Sequence, residues 1–247
     1  MKKGIFFDKV SLSYTEGLFQ LKDVDLFIPQ GSFFGITGIN GSGKSTLTLL
    51  INGLIPHQIK ADIKGKVYVD GVATISKPVS FFANKVGMVF QNPDFMLFNL
   101  TVKEEIEFGL KNLNINNMEE RVKKALEMVG MEGFEERDPQ TLSLGQKQKI
   151  CLAAVLAQDP SYIVLDEPAA MLDHKSSLKL FRILGDLNRK GKTIVIVEHD
   201  TEYLMKYAHQ MIVVDRGSII EKGSPNQVFS KKEKLRKIGI RIPGERI

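Results

Sequence analysis

Gly38-Ile39-Asn40-Gly41-Ser42-Gly43-Lys44-Ser45-Thr46 is the stretch whose residue types and spacing most clearly imply chemistry. It fits G-x-x-x-x-G-K-[ST] and lies between a strand-like run, GSFFGIT, and a helix-like run, STLTLLING. Glycines in such a loop let consecutive backbone N–H groups turn inward around phosphate oxygens, and the helix that follows adds the positive end of its dipole. Lys44 would reach the β and γ phosphates of a nucleotide, and Ser45 would give its hydroxyl to Mg²⁺, a hard cation that prefers octahedral oxygen ligands. Gly38, Asn40, Gly41, Ser42, Gly43 and Thr46 complete the expected cradle for ATP.

Two further places carry groups of the kind phosphoryl chemistry needs. The run Tyr162-Ile163-Val164-Leu165 ends in Asp166 and Glu167. A carboxylate at a strand end beside a phosphate loop can partner Mg²⁺, which is the expectation for Asp166, and its neighbour Glu167 is the candidate general base that orients or deprotonates the attacking water. His199 follows the run TIVIVE in the same way, where its imidazole can donate to a γ-phosphate oxygen. An apolar run ending in two acids is common at solvated strand ends, and a lone histidine after a strand is usually structural. The phosphate loop is what gives both their functional reading.

These residues need a scaffold, and the sequence alternates to supply one. FFDKVSLSY, LKDVDLFI and GSFFGIT read as strands before the loop, and KVYVDGV and KVGMVF read as strands after it. VKEEIEFGL, MEERVKKALEMVG and GQKQKICLAAVLA then carry apolar residues at three- and four-residue spacing, with Val122, Leu126 and Val129 on one helix face. Strands resume in YIVLD, TIVIVEHD, MIVVD and SIIEKG, with a helix around 176–189 between the first two. The expectation is one α/β domain over 1–247. Its core and β layer occupy 1–91 and 158–223, a helical subdomain is inserted at 92–157, and a helical tail covers 224–247.

At 247 residues and 43% hydrophobic content, the chain can bury a substantial core of its own. A net charge of +5 suits a nucleotide or an anionic surface and selects neither. Cys151, the single cysteine, cannot form an intrachain disulfide and sits in a helix-like run, so a buried structural thiol in a reducing compartment is expected. The apolar part of MKKGIFF stops at Asp8, too soon for a signal-peptide core. Runs such as TIVIV are far shorter than the roughly 18 to 20 residues a bilayer span needs, so any membrane role is expected to use another subunit.

In this order, the motifs resemble the ABC ATPase family from Phe6 to Gly223. The resemblance implies a P-loop NTPase core of ABC type with an N-terminal antiparallel β layer and an inserted helical subdomain. It implies that Tyr14 stacks on adenine, that Gln91 touches Mg²⁺, that His199 is the switch histidine, and that Met171-Leu172-Asp173 runs along a dimer seam. Leu142-Ser143-Leu144-Gly145-Gln146 resembles the signature Leu-Ser-Gly-Gly-Gln, with Leu144 in place of one glycine. In this family two subunits pair head to tail, so Ser143, Gly145 and Gln146 would serve the ATP on a second ATPase subunit, the same chain or a related one. Leu144 adds a side chain and restricts backbone conformations open to glycine, which favours a heterodimer with one weaker site.

Phe90-Gln91-Asn92-Pro93-Asp94 and the LTVKEEIEFGL that follows are similar to the energy-coupling-factor importers of vitamins and transition metals, as is the ending LRKIGIRIP. That resemblance implies an ATPase at the cytoplasmic face of the membrane, bound to a transmembrane coupling subunit that holds a substrate-binding membrane protein. Asp94, Glu104 and Glu105 are candidates to pair with arginines on the coupling subunit, against the plainer reading of a solvated acidic helix start. The basic run 231–237 reads as a solvated helix face in preference to a lipid contact. Two alternatives remain. A soluble ABC ATPase acting on nucleic acid fits the basic charge but usually carries tandem cassettes, coiled coils or zinc modules, and no nucleic acid is expected here. An ATP sensor without turnover fits Leu144 but not Glu167 and His199.

Overall fold

The computed structural model describes residues 3–15 and 18–245. In chain order its elements are β1 (Gly4–Thr15), β2 (Leu18–Pro29), β3 (Phe33–Gly38), α1 (Lys44–Ile51), α2 (Leu54–His57), β4 (Asp62–Val69), β5 (Val72–Ala73), α3 (Val79–Ala83) and β6 (Val86–Val89). There follow α4 (Val102–Asn112), α5 (Met118–Val129), α6 (Leu144–Ala157), β7 (Tyr162–Asp166), α7 (His174–Arg189), β8 (Thr193–Val197) and α8 (Thr201–Tyr207). The chain closes with β9 (Gln210–Asp215), β10 (Ser218–Gly223), α9 (Pro225–Phe229) and α10 (Lys232–Lys237).

Two sheets organise them. The first is antiparallel, in the order β2-β1-β4-β5. The second has the order β10-β9-β3-β8-β7-β6, in which all neighbours are parallel except the β9–β10 hairpin. Every residue of β3, β7 and β8 is buried, which is why these strands read as unbroken apolar runs without alternation.

The period of two in those strands divides the interior into two cores. Ile163 and Leu165, Ile194 and Ile196, Met211 and Val213 point to the side carrying α4 to α8. Their neighbours Tyr162 and Val164, Val195 and Val197, Ile212 and Val214 point to α1 and the antiparallel sheet. Both faces of the parallel sheet are therefore covered. Each fully buried aliphatic side chain contributes roughly 1.5–3 kcal/mol of transfer free energy, before the chain entropy that ordering costs.

Between β6 and β7 the chain is helical. Thr101 caps α4 in a box with Glu104, and Val102, Ile106 and Leu110 bury one face. On α5, Val122, Leu126 and Val129 form the buried face, as their spacing predicts. Ser143 and Gln146 make a second capping box at the start of α6, which packs against α4, α5 and β6 and is buried from Ile150 to Ala153 without a break. Cys151 lies wholly inside this helix packing, where burial pushes its thiol up to about 12 and leaves it inert.

Several boundaries differ from the sequence reading. KVYVDGV divides at Asp70-Gly71 into β4 and β5, and TIVIVEHD ends as a strand at Val197. The basic run at 231–237 is only partly a solvated face. Lys234 Nζ lies 2.6 Å from Glu221 Oε1, Lys231 pairs with the same carboxylate, and Leu235 is buried. Among the described residues, no helix is long and apolar enough to cross a membrane.

Candidate functional site

β3 delivers Gly38 to the carboxyl edge of the parallel sheet, and α1 starts six residues later at Lys44. A Cβ on Gly38 would lie 2.2 Å from the carbonyl oxygen of Val214, so the neighbouring strand leaves room for glycine alone. Gly43, the N-cap of α1, has φ 109°, a conformation that L side chains rarely adopt. Lys44 turns back over the loop and donates from Nζ to the carbonyls of Gly38 and Ile39, both at 3.0 Å. Burial holds its ammonium below the ordinary lysine range, against the pull of the Glu167 and Asp166 carboxylates.

The next strands place the acids on the same edge. β7 ends at Asp166, and Glu167 follows with φ 48°. That left-handed backbone turns its side chain toward the loop, 3.9 Å from Lys44 Nζ. One carboxylate oxygen of Glu167 accepts from Gln91 Nε2 at 2.8 Å, and the other lies 2.8 Å from His199 Nε2. Gln91 comes just after β6 and His199 just after β8, so strands adjacent on either side of β7 supply the two partners. Burial raises the Asp166 carboxyl above its usual range, opposed by a hydrogen bond from Ser45.

A cleft of about 380 Å³ is lined by Asn40, Gly41, Gly43, Lys44, Ser45, Thr46, Gln91 and Glu167, with Gln20; Asp166 and His199 are not in its lining. Gln20, which the sequence reading did not single out, donates from Nε2 to Gly41 O at 3.3 Å. Nothing in its local pattern sets it apart from other polar strand residues. Ser42 is buried beneath the loop, its hydroxyl oxygen without a hydrogen-bond partner. Tyr14 is 44% exposed, and its hydroxyl lies 3.1 Å from Oγ1 of Thr46, a residue of the cleft lining.

Asp166 offers a test of whether Mg²⁺ suits the site. Its Oδ1 is buried with no hydrogen-bond partner, and Ser45 and Gln91 add neutral oxygens nearby. A set of hard oxygen donors with one orphaned carboxylate oxygen fits that ion. Among the described residues there is no group of three His, Cys, Asp or Glu that could hold a metal unaided.

Ser143, Gly145 and Gln146 are not brought to this cleft. Ser143 caps α6, and Gly145 faces the Met171–Asp173 loop, where a Cβ would meet Leu172 Cδ2 at 3.3 Å. Leu144 is the first residue of α6 and 47% exposed. Its backbone is right-handed helical, so the conformational restriction expected of a glycine replacement does not arise, and only the added side chain remains.

A family model described as ABC transporter matches residues 21–170. The chain belongs to the ABC transporter ATPase family. It is 41% identical over 239 residues to the energy-coupling factor transporter ATP-binding protein EcfA of Methanocaldococcus jannaschii, covering 93% of this chain and 82% of that one. Among solved structures it resembles CbiO1 of Clostridium perfringens, described as part of the ABC transporter complex CbiONQ, with a TM-score of 0.81 and 30% identity over 98% of this chain and 97% of that one. It also resembles the ATP-binding cassette MJ0796, seen as a dimer in a post-hydrolysis state with ADP and phosphate (TM-score 0.81, 30% identity, 90% of this chain and 98% of that one). The expected ABC-type fold and ATPase activity coupled to transport are thereby borne out. This ABC ATPase binds its nucleotide as ATP.

The same geometry revises the expected docking acids. Glu105 is 5% exposed and accepts from Phe98 N, Asn99 N and Asn99 Nδ2. Glu104 completes the capping box of α4, and Asp94 pairs with Lys147 at 2.7 Å. All three carboxylates already have local work. Of them, Asp94 and Glu104 remain exposed, whereas Glu105 is buried.

Proposed function

We propose that this chain is the ATP-hydrolysing subunit of an energy-coupling-factor-type importer for vitamins or transition-metal ions. It would sit peripherally on the cytoplasmic face of the membrane and pair head to tail with a second ABC ATPase. The observation that carries the catalytic part is the position of Glu167, held between Gln91 and His199 with its carboxylate 3.9 Å from Lys44. The relatives named EcfA support the transporter type.

In this reading Lys44, with Gly38, Asn40, Gly41, Ser42, Gly43 and Thr46, binds and orients the phosphates, and Tyr14 stacks on the base. Glu167 holds the attacking water and accepts its proton at a carboxylate oxygen, while Gln91 and His199 keep that carboxylate aimed. His199 Nε2 has one N–H to give, so donating it to a γ-phosphate oxygen would take it from Glu167. Ser45, Asp166 and Gln91 would hold Mg²⁺, which spreads the charge of the phosphate oxygens when bound. Ser143, Gly145 and Gln146 act on the ATP of the second subunit, because the cleft in this chain lacks any group from its own signature. The exposed side chain that Leu144 adds, its backbone being unrestricted, would make that composite site the weaker of two in a heterodimer.

The helices at 92–157 form the subdomain that meets the coupling subunit. Phe95 (79% exposed), Phe98 (62%) and Leu100 (80%) lie within nine residues after Gln91, and such exposed apolar side chains suit a helix of a membrane protein. Purification of the chain from its native membranes tests the reading. A second ATPase and a membrane-spanning protein are expected in stoichiometric amounts. Recovery of the chain alone, or with nucleic acid, would count against it.

A further inference from the structure

Lys147 occupies an unfavourable place for a cation. It lies in the first turn of α6, where the helix dipole favours anions and where no acidic residue is present. Its side chain is only 11% exposed, so water does not solvate the ammonium freely. Its acceptors are Asp94 Oδ1 at 2.7 Å and Gln140 Oε1 at 3.2 Å. Gln140 in turn donates to Leu97 O at 3.2 Å, so both acceptors belong to the 94–97 segment or are tied to it.

Two more bonds run alongside. Gln148 Nε2 donates to Phe90 O at 3.3 Å, and Cys151 Sγ to Pro93 O at 3.7 Å. Asp94 is oriented locally, because Asn92 Oδ1 accepts its backbone N–H at 3.0 Å. The segment 90–94 is therefore held to α6 along one side. On the other side Gln91 reaches Glu167. Ser143 and Gly145 stand within four residues of Lys147, on the same helix start.

We infer that Lys147 is a positioning residue. Through Asp94 it ties the orientation of the α6 N-terminus to the segment that Gln91 occupies, so a change at the phosphate end is passed to the signature this chain presents to its partner. The inference rests on the proposed role of Ser143 and Gly145 in the second subunit's site. With the Asp94 end half exposed, the bridge contributes little to overall stability, and its consequence is geometric.

The test uses the assembled ATPase for turnover and the isolated chain for ATP binding. Lys147→Met keeps the buried stem and removes the charge, and Asp94→Asn removes the other partner. Each is expected to lower kcat about tenfold, with the Kd for ATP of the isolated chain unchanged. The double variant should be no worse than either single one, and the exchange D94K/K147D should recover most of the rate. Lys147→Arg should stay near wild type.

Wild-type turnover in Lys147→Met, multiplicative losses in the double variant, or no recovery on exchange would overturn the inference. If Lys147→Met fails to fold, Asp94→Asn and the exchange still decide. Ser143→Arg separates the two levels, since it leaves the Lys147 bridge in place. Full activity in Ser143→Arg defeats the signature reading, whereas loss there with normal Lys147→Met defeats the bridge alone.

Discussion

Glu167 Oε1 and His199 Nε2 lie 2.8 Å apart, although 32 residues separate them in the chain. The parallel pairing of β7 with β8 makes this contact, since it carries Asp166 and Val197 to the same level at the sheet edge. Glu167 then needs the left-handed backbone seen at φ 48° to face its partner, at a cost on the order of 1–3 kcal/mol. Packing on both faces of the sheet offsets that strain.

Replacing Glu167 by Gln preserves the shape and the contact from Gln91, but sets an amide NH2 against His199 and removes the proton acceptor. Turnover should fall by at least about 100-fold, while ATP binding is retained or tightened. Phosphate release against filter-retained nucleotide measures both. Turnover within a few fold of wild type would exclude Glu167 as the base.

The phosphate loop allows a contrast between two glycines. Gly38→Ala would set a Cβ 2.2 Å from Val214 O and 2.8 Å from Ser42 Oγ, so strand and loop must separate. Loss of ATP binding and a strongly lowered Tm are expected. Gly41, at φ 73°, has nothing within 4 Å of an added Cβ. Gly41→Ala should therefore cost only about 1–2 kcal/mol from its backbone conformation. Equal losses in the two variants, by melting and nucleotide titration, would contradict the steric argument.

What the sequence made legible follows from locality. The phosphate loop, the strand-end acids and the apolar periods lie within short windows, and the alternation that divides two cores at Ile163/Val164 is visible in YIVLD once the strand is known. Gln20 beside Gly41 depends instead on two segments meeting in space. The Lys147 bridge spans 53 residues and leaves no local pattern. Leu144 looked restrictive because its helical conformation was not known. The helices α2, α3, α8 and α9 are too short, at four to seven residues, to show a period.

Glu105 anchors the segment that carries the exposed aromatics. One of its oxygens accepts all three hydrogen bonds, from Phe98 N, Asn99 N and Asn99 Nδ2, and the group is 5% exposed. Glu105→Ala leaves two backbone donors unsatisfied, so a loss of roughly 2–3 kcal/mol is expected, with faster amide exchange at 96–100. Unchanged exchange there would show that the segment is held by other contacts.

Glu198 supplies the pH dependence. It is 5% exposed, its Oε1 accepts from His199 N and Asp200 N, and its Oε2 has no partner. Burial, reinforced by the Asp200 and Glu167 carboxylates, pushes its carboxyl up from 4.5 to about 7. The folded chain therefore keeps a proton that the unfolded chain releases near pH 4.5. This contribution is fully present below that pH and is lost as pH rises through about 7. Glu198→Gln keeps the Oε1 contacts and has no charge to bury. It should be more stable than wild type at pH 8, by up to about 3 kcal/mol, with the difference shrinking toward pH 5. Denaturant melts at the two pH values measure it, and a variant that is less stable at pH 8 would mean that the Glu198 carboxylate is paired in the folded chain.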